Sequence, residues 1–142
     1  MQALIVERTF AASADRVWSA LTDKAKMKQW YFDVDDFKPE VGFEFRFTGQ
    51  NKGVIYKHIC VVTEVIPEKK LVHTWRYDRF EGESTVTWEL FAEGDNQTRV
   101  KLTHVGLETF PAAADFAREN FEKGWTTILG KMLKEYLEKQ PE

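Results

Sequence analysis

The C-terminal stretch from residue 116 to residue 137 reads FARENFEKGWTTILGKMLKEYL and decides the fold class. Its apolar side chains recur every three or four residues, the period of an α-helix with one buried face. That stripe comprises Phe116, Phe121, Trp125, Ile128, Leu129, Met132, Leu133, Tyr136 and Leu137. The charges suit the helix dipole, with Asp115 and Glu119 early and Lys131, Lys134 and Lys139 late. With Pro111 as its first residue, the predicted helix spans about 40 Å, enough to cross a whole domain.

Between residues 43 and 105 the apolar period changes to two, which is typical of β-strands with one buried face. Gly82 and the run Glu93–Asn96 mark turns between the alternating segments. Those segments are 43–47, 54–66, 71–77, 85–90 and 99–104. Because short turns join successive strands, the pattern predicts an antiparallel meander with one buried and one wet face.

Upstream of the meander, residues 3–10 predict a further strand, whose buried face carries Leu4, Val6 and Phe10. Ser13 is a suitable N-cap for a short helix with the apolar stripe Ala14, Val17, Trp18 and Leu21. A second short helix begins at Thr22 or Asp23 and ends near Trp30.

This order of elements predicts an α+β fold in one domain over residues 1–142. The sheet must bury its apolar face, and the C-terminal helix is the only partner large enough. We therefore expect a curved antiparallel sheet wrapped around a long C-terminal helix, with two short helices after the first strand. The gap between such a sheet and one helix can become a pocket.

The amino-acid composition argues against several classes of protein. The chain has one cysteine, a net charge of −3 and a pI near 5.7, which argue against a disulfide scaffold and a basic nucleic-acid surface. No stretch approaches the roughly 20 apolar residues of a membrane span, and the N-terminal residues do not form a signal peptide. We expect a cytoplasmic protein, monomeric or homodimeric.

The aromatic content is high, with 11 Phe, 5 Trp and 4 Tyr in 142 residues. By periodicity, many of these rings fall on the inner face of the sheet and on the buried stripe of the final helix. They either line a cavity or fill it. The predicted ligand-binding side chains are Phe45, Phe47, His73, Trp75, Tyr77, Trp88, Phe121, Trp125 and Met132, with His73 and Tyr77 as polar groups among apolar walls.

Several segments follow one another at a characteristic spacing: 10–23 (FAASADRVWSALTD), 30–31 (WY), 64–75 (EVIPEKKLVHTW), 84–90 (STVTWEL), 102–107 (LTHVGL) and 124–125 (GW) with the leucines after it. In this order, over about residues 3–138, the chain resembles the START-like (SRPBCC) superfamily. Within it, the chain resembles the activators of the 90-kDa heat-shock protein's ATPase and their bacterial homologues. Two positions depart from that pattern, because only Gly42 of a usual Gly-Gly pair is present and His73 replaces an aromatic or aliphatic residue.

The resemblance implies the helix-grip fold, also called birch-pollen-allergen-like, and the binding of a small apolar molecule or a lipid. It also implies two alternatives, a cyclase or dehydratase that uses His73 or Tyr77 for proton transfer, and a co-chaperone module acting on a heat-shock ATPase. For His104 it implies a structural role, holding the loop before Pro111. Binding without catalysis is the leading hypothesis, and fold alone does not choose among the three.

The remaining candidates for chemistry are weak. His58 and Cys60 share one face of the segment 54–66, but both faces are apolar, so the pattern leaves the buried face open. His58, His73 and His104 lack the short-range spacing of zinc ligands, and Cys60 lacks an activating motif. No catalytic triad, phosphate loop or dinucleotide fingerprint is present, so we expect no metal and no cofactor.

Overall fold

The computed structural model describes residues 2–51, 53–113 and 116–139. Its strands are β1 (Leu4–Phe10), β2 (Glu44–Asn51), β3 (Val54–Ile66), β4 (Lys70–Tyr77), β5 (Ser84–Ala92) and β6 (Thr98–Val105). Two short helices, α1 (Ala14–Thr22) and α2 (Lys24–Trp30), follow β1. The C-terminal helix of 22 residues consists of α3 (Arg118–Thr127), a π-helical segment (Ile128–Leu133) and α4 (Lys134–Lys139).

The described strands form one curved antiparallel sheet in the order β1-β6-β5-β4-β3-β2. Burial alternates along β5 and β6, and along β4 apart from the additional buried residue Val72, which confirms the predicted meander and its one apolar face. The C-terminal helix packs on that face through Phe121, Trp125, Leu129, Leu133 and Leu137. This arrangement is the helix-grip fold predicted from the sequence.

The two short helices form where the sequence predicts them. The Ser13 hydroxyl caps α1 by accepting from the Arg16 backbone N–H at 3.3 Å, and Asp23 caps α2. Trp30 closes one end of the core, where its indole N–H donates to the Ala20 carbonyl at 2.9 Å. Helices α1 and α2 therefore cover the part of the sheet that the C-terminal helix does not reach.

The predicted start of the long helix at Pro111 is wrong, because α3 begins at Arg118. Phe110 and Phe116 both pack on Tyr77, with ring centroids 5.4 and 5.2 Å from it. On a continuous helix those two side chains would point about 120° apart, so Phe110 and Phe116 do not belong to one continuous helix. The helix is consequently nearer 30 Å long than 40 Å. The predicted role of Asp115 in its first turn lies outside the described residues.

The structure settles the facing of β3. His58, Cys60 and Val62 are buried on the concave face, and the register shifts between Val62 and Glu64. Such an irregularity changes which side chains face inward, and Val65 packs against the core beyond it. No helix in the described ranges is long and apolar enough to cross a membrane.

Candidate functional site

A cavity of about 540 Å³ lies between the C-terminal helix and the concave face of β2, β3 and β4. This volume lies within the range of small-molecule binding sites. The sheet contributes Gly49, Tyr56, His58, Trp75 and Tyr77. The helix and the loops before it and after α2 contribute Phe32, Phe116, Asn120, Phe121, Lys123, Gly124, Trp125, Thr127, Ile128 and Met132.

Two tryptophans form the inner wall of the cavity. The rings of Trp75 and Trp125 meet edge to face with centroids 5.3 Å apart. The Trp75 indole N–H donates to the Tyr77 hydroxyl oxygen at 2.9 Å, so its ring is held in place. Both rings are almost completely buried, which makes this wall a fixed surface.

His104 holds Trp125 against the sheet. The Trp125 indole N–H donates to His104 Nδ1 at 3.0 Å, and the opposite ring nitrogen, Nε2, lies 2.7 Å from the Ser84 hydroxyl. That hydroxyl donates to the Trp75 carbonyl at 3.0 Å, so Nε2 must carry the His104 proton. Burial lowers the pKa of His104 to about 3, with a smaller contribution from the repulsion that protonated His104 and protonated His73 would exert on each other. His104 is therefore a neutral structural residue.

The loop before Pro111 has a different anchor from the one the family resemblance implies. The Thr109 hydroxyl lies 2.7 Å from the Gly106 carbonyl and 2.9 Å from the Glu83 carbonyl. His104 thus joins the helix to the sheet, and Thr109 holds the loop.

His73 lies outside the cavity, which differs from its predicted place as a polar group in the pocket wall. Its Nδ1 lies 2.9 Å from the Thr74 carbonyl, and its Nε2 accepts from the Trp88 indole N–H at 3.3 Å. Both ring nitrogens are thus used, and burial lowers the pKa of His73 to about 4. His73 is a neutral core histidine with its proton on Nδ1.

Three further predicted wall residues also lie elsewhere. Phe45 and Trp88 border a gap of about 10 Å³ together with His73, under Trp30 and Met27 of α2. That space is about the size of one water molecule, because the short helices fill this end of the sheet. Phe47 lies beneath His58, with the two rings stacked at 4.3 Å. Of the nine predicted residues, the cavity brings together Trp75, Tyr77, Phe121, Trp125 and Met132.

His58 is the histidine that lines the cavity, and the sequence did not single it out as a ligand-binding residue. Its Nδ1 lies 3.1 Å from the Tyr56 carbonyl, and burial lowers its pKa to about 4. A Cβ atom on Gly49 would lie 2.9 Å from His58 Cε1. The imidazole ring of His58 therefore occupies the space that a side chain at position 49 would need. A glycine inside a strand indicates such a close approach and is the signal that could have identified this site.

Tyr77 places its hydroxyl group at the cavity wall, where the sequence analysis predicted a polar group. Burial raises the pKa of its phenol above the usual value, so the side chain stays neutral. Its oxygen accepts from Trp75, and its own proton has no acceptor among the described residues. Tyr77 can therefore donate a hydrogen bond to an oxygen atom inside the cavity.

The cavity does not have the composition of a metal centre. No three His, Cys, Asp or Glu side chains converge anywhere in the described ranges. The nitrogens of His73 and His104 already have partners within the protein. Burial also raises the pKa of Cys60 above its usual range, which disfavours the thiolate needed as a nucleophile.

A family comparison decides what kind of protein this is. Residues 11–138 match the family described as activator of Hsp90 ATPase homolog 1-like protein. The chain belongs to this family. The motifs along the chain predicted this family and its START-like fold. Comparison with curated proteins found no significant match.

Solved structures share the fold over nearly the whole chain. Protein MLL2253 from Mesorhizobium loti is 25% identical, with a TM-score of 0.79 over 99% of this chain and 100% of that one. CV1439 from Chromobacterium violaceum is 20% identical, with a TM-score of 0.82 over 97% and 98%. DynU16, a protein in the dynemicin biosynthetic locus, is 23% identical, with a TM-score of 0.78 over 98% of this chain and 48% of that one.

Proposed function

We propose that this protein binds a small, largely apolar molecule in the cavity between the curved sheet and the C-terminal helix. The observation that carries the proposal is the space of about 540 Å³ that remains beside the packed aromatic side chains. Membership of a START-like family, whose members bind ligands in a cavity, supports it.

The walls favour an aromatic or hydrocarbon ligand. Each 100 Å² of apolar ligand surface removed from water contributes roughly 2.5 kcal/mol before the cost of association. Trp75, Phe121, Trp125 and Met132 supply apolar surface on several sides, and Tyr77 supplies one hydrogen-bond donor. A molecule with a ring system and an accepting oxygen fits this arrangement best.

Gly124 offers a way to close the cavity without disturbing its walls. It lines the cavity on α3, and a Cβ atom built on it has no neighbour within 4 Å. The Gly124→Leu substitution should therefore place a side chain in open space and fold normally. Gly130, on the same helix, provides the control, because its Cβ would face the Arg8 guanidinium and not the cavity.

The test is a fluorescence titration with N-phenyl-1-naphthylamine, a neutral apolar dye. We expect saturable binding by the wild-type protein and by Gly130→Ala, at least tenfold weaker binding by Gly124→Leu, and an intermediate result for Gly124→Ala. Circular dichroism would establish that each variant is folded. Equal binding by wild type and Gly124→Leu, or no saturable binding by the wild type, would overturn the proposal.

The family name favours a second candidate, a co-chaperone activity on a heat-shock ATPase. The relevant measurement is the ATPase rate of the 90-kDa heat-shock protein from the same organism, with and without this chain. An increase in that rate supports the second candidate, and no increase together with no physical association removes it.

A further inference from the structure

The face of α3 that borders the cavity is polar at one end. Asn120, Lys123, Gly124 and Thr127 recur at the spacing of one helix face, and all four line the cavity. Lys123 is solvent-exposed, whereas Trp125, two residues further along the helix, is buried. Lys123 therefore stands at the mouth of the cavity, with apolar walls behind it.

Among the described residues that line the cavity, Lys123 is the only side chain with a formal charge. His58 and Tyr77 in the same lining are uncharged at neutral pH, because burial lowers the pKa of His58 and raises that of Tyr77. The described lining thus carries one positive charge, placed where water meets the apolar interior.

No carboxylate of the described residues neutralises this lysine. Glu119 lies one turn before it on the same helix, yet within the described residues Lys123 forms no ion pair. By contrast, Lys134 further along the same helix pairs with Glu138 at 3.1 Å. The ammonium group of Lys123 is consequently available to an anion that enters from solvent.

We infer that the ligand is an amphipathic acid, with its apolar body between Trp75 and Met132 and its anionic group at the ammonium of Lys123. This inference rests on the proposed function and narrows its ligand class. A carboxylate, sulfonate or phosphate would pair with the lysine while staying partly hydrated, which avoids the cost of burying a charge. An anionic group further inside would meet aromatic walls, and no cation among the described lining residues.

A matched pair of dyes separates this inference from the proposed function. N-phenyl-1-naphthylamine and 8-anilinonaphthalene-1-sulfonate share one aromatic body, and only the second carries an anionic group. We expect the sulfonate to bind the wild-type protein about fivefold more tightly at low ionic strength, the upper range for a partly exposed ion pair. This preference should shrink as salt screens the pair.

Substitutions of Lys123 test whether this side chain causes the preference for the sulfonate dye. Lys123→Met should remove the preference for the sulfonate without weakening the neutral dye, and Lys123→Arg should keep it. Lys131→Met is the control, since Lys131 is exposed on the same helix but does not line the cavity. If Lys123→Met keeps the preference, or if the wild type binds both dyes equally, the acid assignment is wrong while apolar binding stands. If neither dye binds, the proposed function itself fails.

Discussion

The indole N–H of Trp125 donates to Nδ1 of His104 across 3.0 Å, and this bond joins the C-terminal helix to strand β6 of the sheet. Both side chains are almost fully buried, and the chain of bonds continues through Ser84 to the Trp75 carbonyl. The Trp125 ring, which borders the cavity, is thus held from its buried side by the neutral side chains of His104 and Ser84. The cavity keeps its shape because its wall is bonded to the sheet.

Replacing His104 should test this link. His104→Leu leaves the buried indole N–H of Trp125 without an acceptor, and we expect it to lower the free energy of unfolding by about 2–4 kcal/mol. Ser84→Ala removes one hydroxyl from the same chain of bonds and should cost less. Urea unfolding followed by circular dichroism measures both. A loss below 0.5 kcal/mol, on the order of a surface substitution, would show that the link does not stabilise the fold.

Three buried histidines predict a pH dependence of stability. Burial lowers the pKa of His58 and His73 to about 4 and that of His104 to about 3, whereas each is near 6.5 in the unfolded chain. Between the folded-state and unfolded-state pKa values, the unfolded state binds more protons than the folded state. The free energy of unfolding therefore falls as the pH decreases from about 6.5 to about 4.

Each such histidine contributes up to about 1.4 kcal/mol per pH unit in that interval. His58→Phe keeps a ring on Phe47 and removes one titrating group, so its unfolding free energy should depend less steeply on pH. Urea titrations at pH 7, 6 and 5 give the slopes. Equal slopes for wild type and His58→Phe would contradict the assignment of His58 as a buried neutral residue.

Two glycines that border the cavity should respond to alanine in opposite directions. At Gly49 the new Cβ would lie 2.9 Å from His58 Cε1, so the ring must move into the cavity. We expect Gly49→Ala to destabilise the protein by about 1–3 kcal/mol. Gly124→Ala meets open space on a helix and should stabilise it by about 1 kcal/mol. Thermal unfolding measures both, and a stabilising Gly49→Ala would refute the close packing of His58.

Cys60 should be unreactive in the folded protein. It is fully buried on β3, and burial raises the pKa of its thiol. Labelling with 5,5′-dithiobis(2-nitrobenzoic acid) at pH 8 should therefore be slow in buffer and rapid in denaturing urea. Rapid labelling of the native protein would show that the core around β3 opens easily.

The sequence predicted the fold well because periodicity reports burial directly. The order of strands and helices, the cap Ser13, and the inward face of β4 to β6 follow from side-chain spacing and capping chemistry. The start of the last helix was wrong, since spacing alone does not reveal that Phe110 and Phe116 pack on the same ring.

The cavity was harder to predict than the fold. An inward-facing residue either lines the space or fills it, and the choice depends on which part of the sheet the short helices cover. Trp88 and His73 lie under α2, whereas Trp75 and Tyr77, further along the same face, border the open end. His58 was missed because both faces of β3 are apolar in sequence, and only its register with β2 places it beside Gly49.

The most direct test of the central claim is a crystal structure of the protein soaked with 1-bromonaphthalene, in which anomalous scattering locates the bromine. We predict a bromine peak inside the cavity, flanked by Trp75 and Trp125, with the bonds of His104 unchanged. Peaks confined to the protein surface, with aromatic side chains closing the space between sheet and helix, would contradict the claim that this protein binds an apolar molecule there.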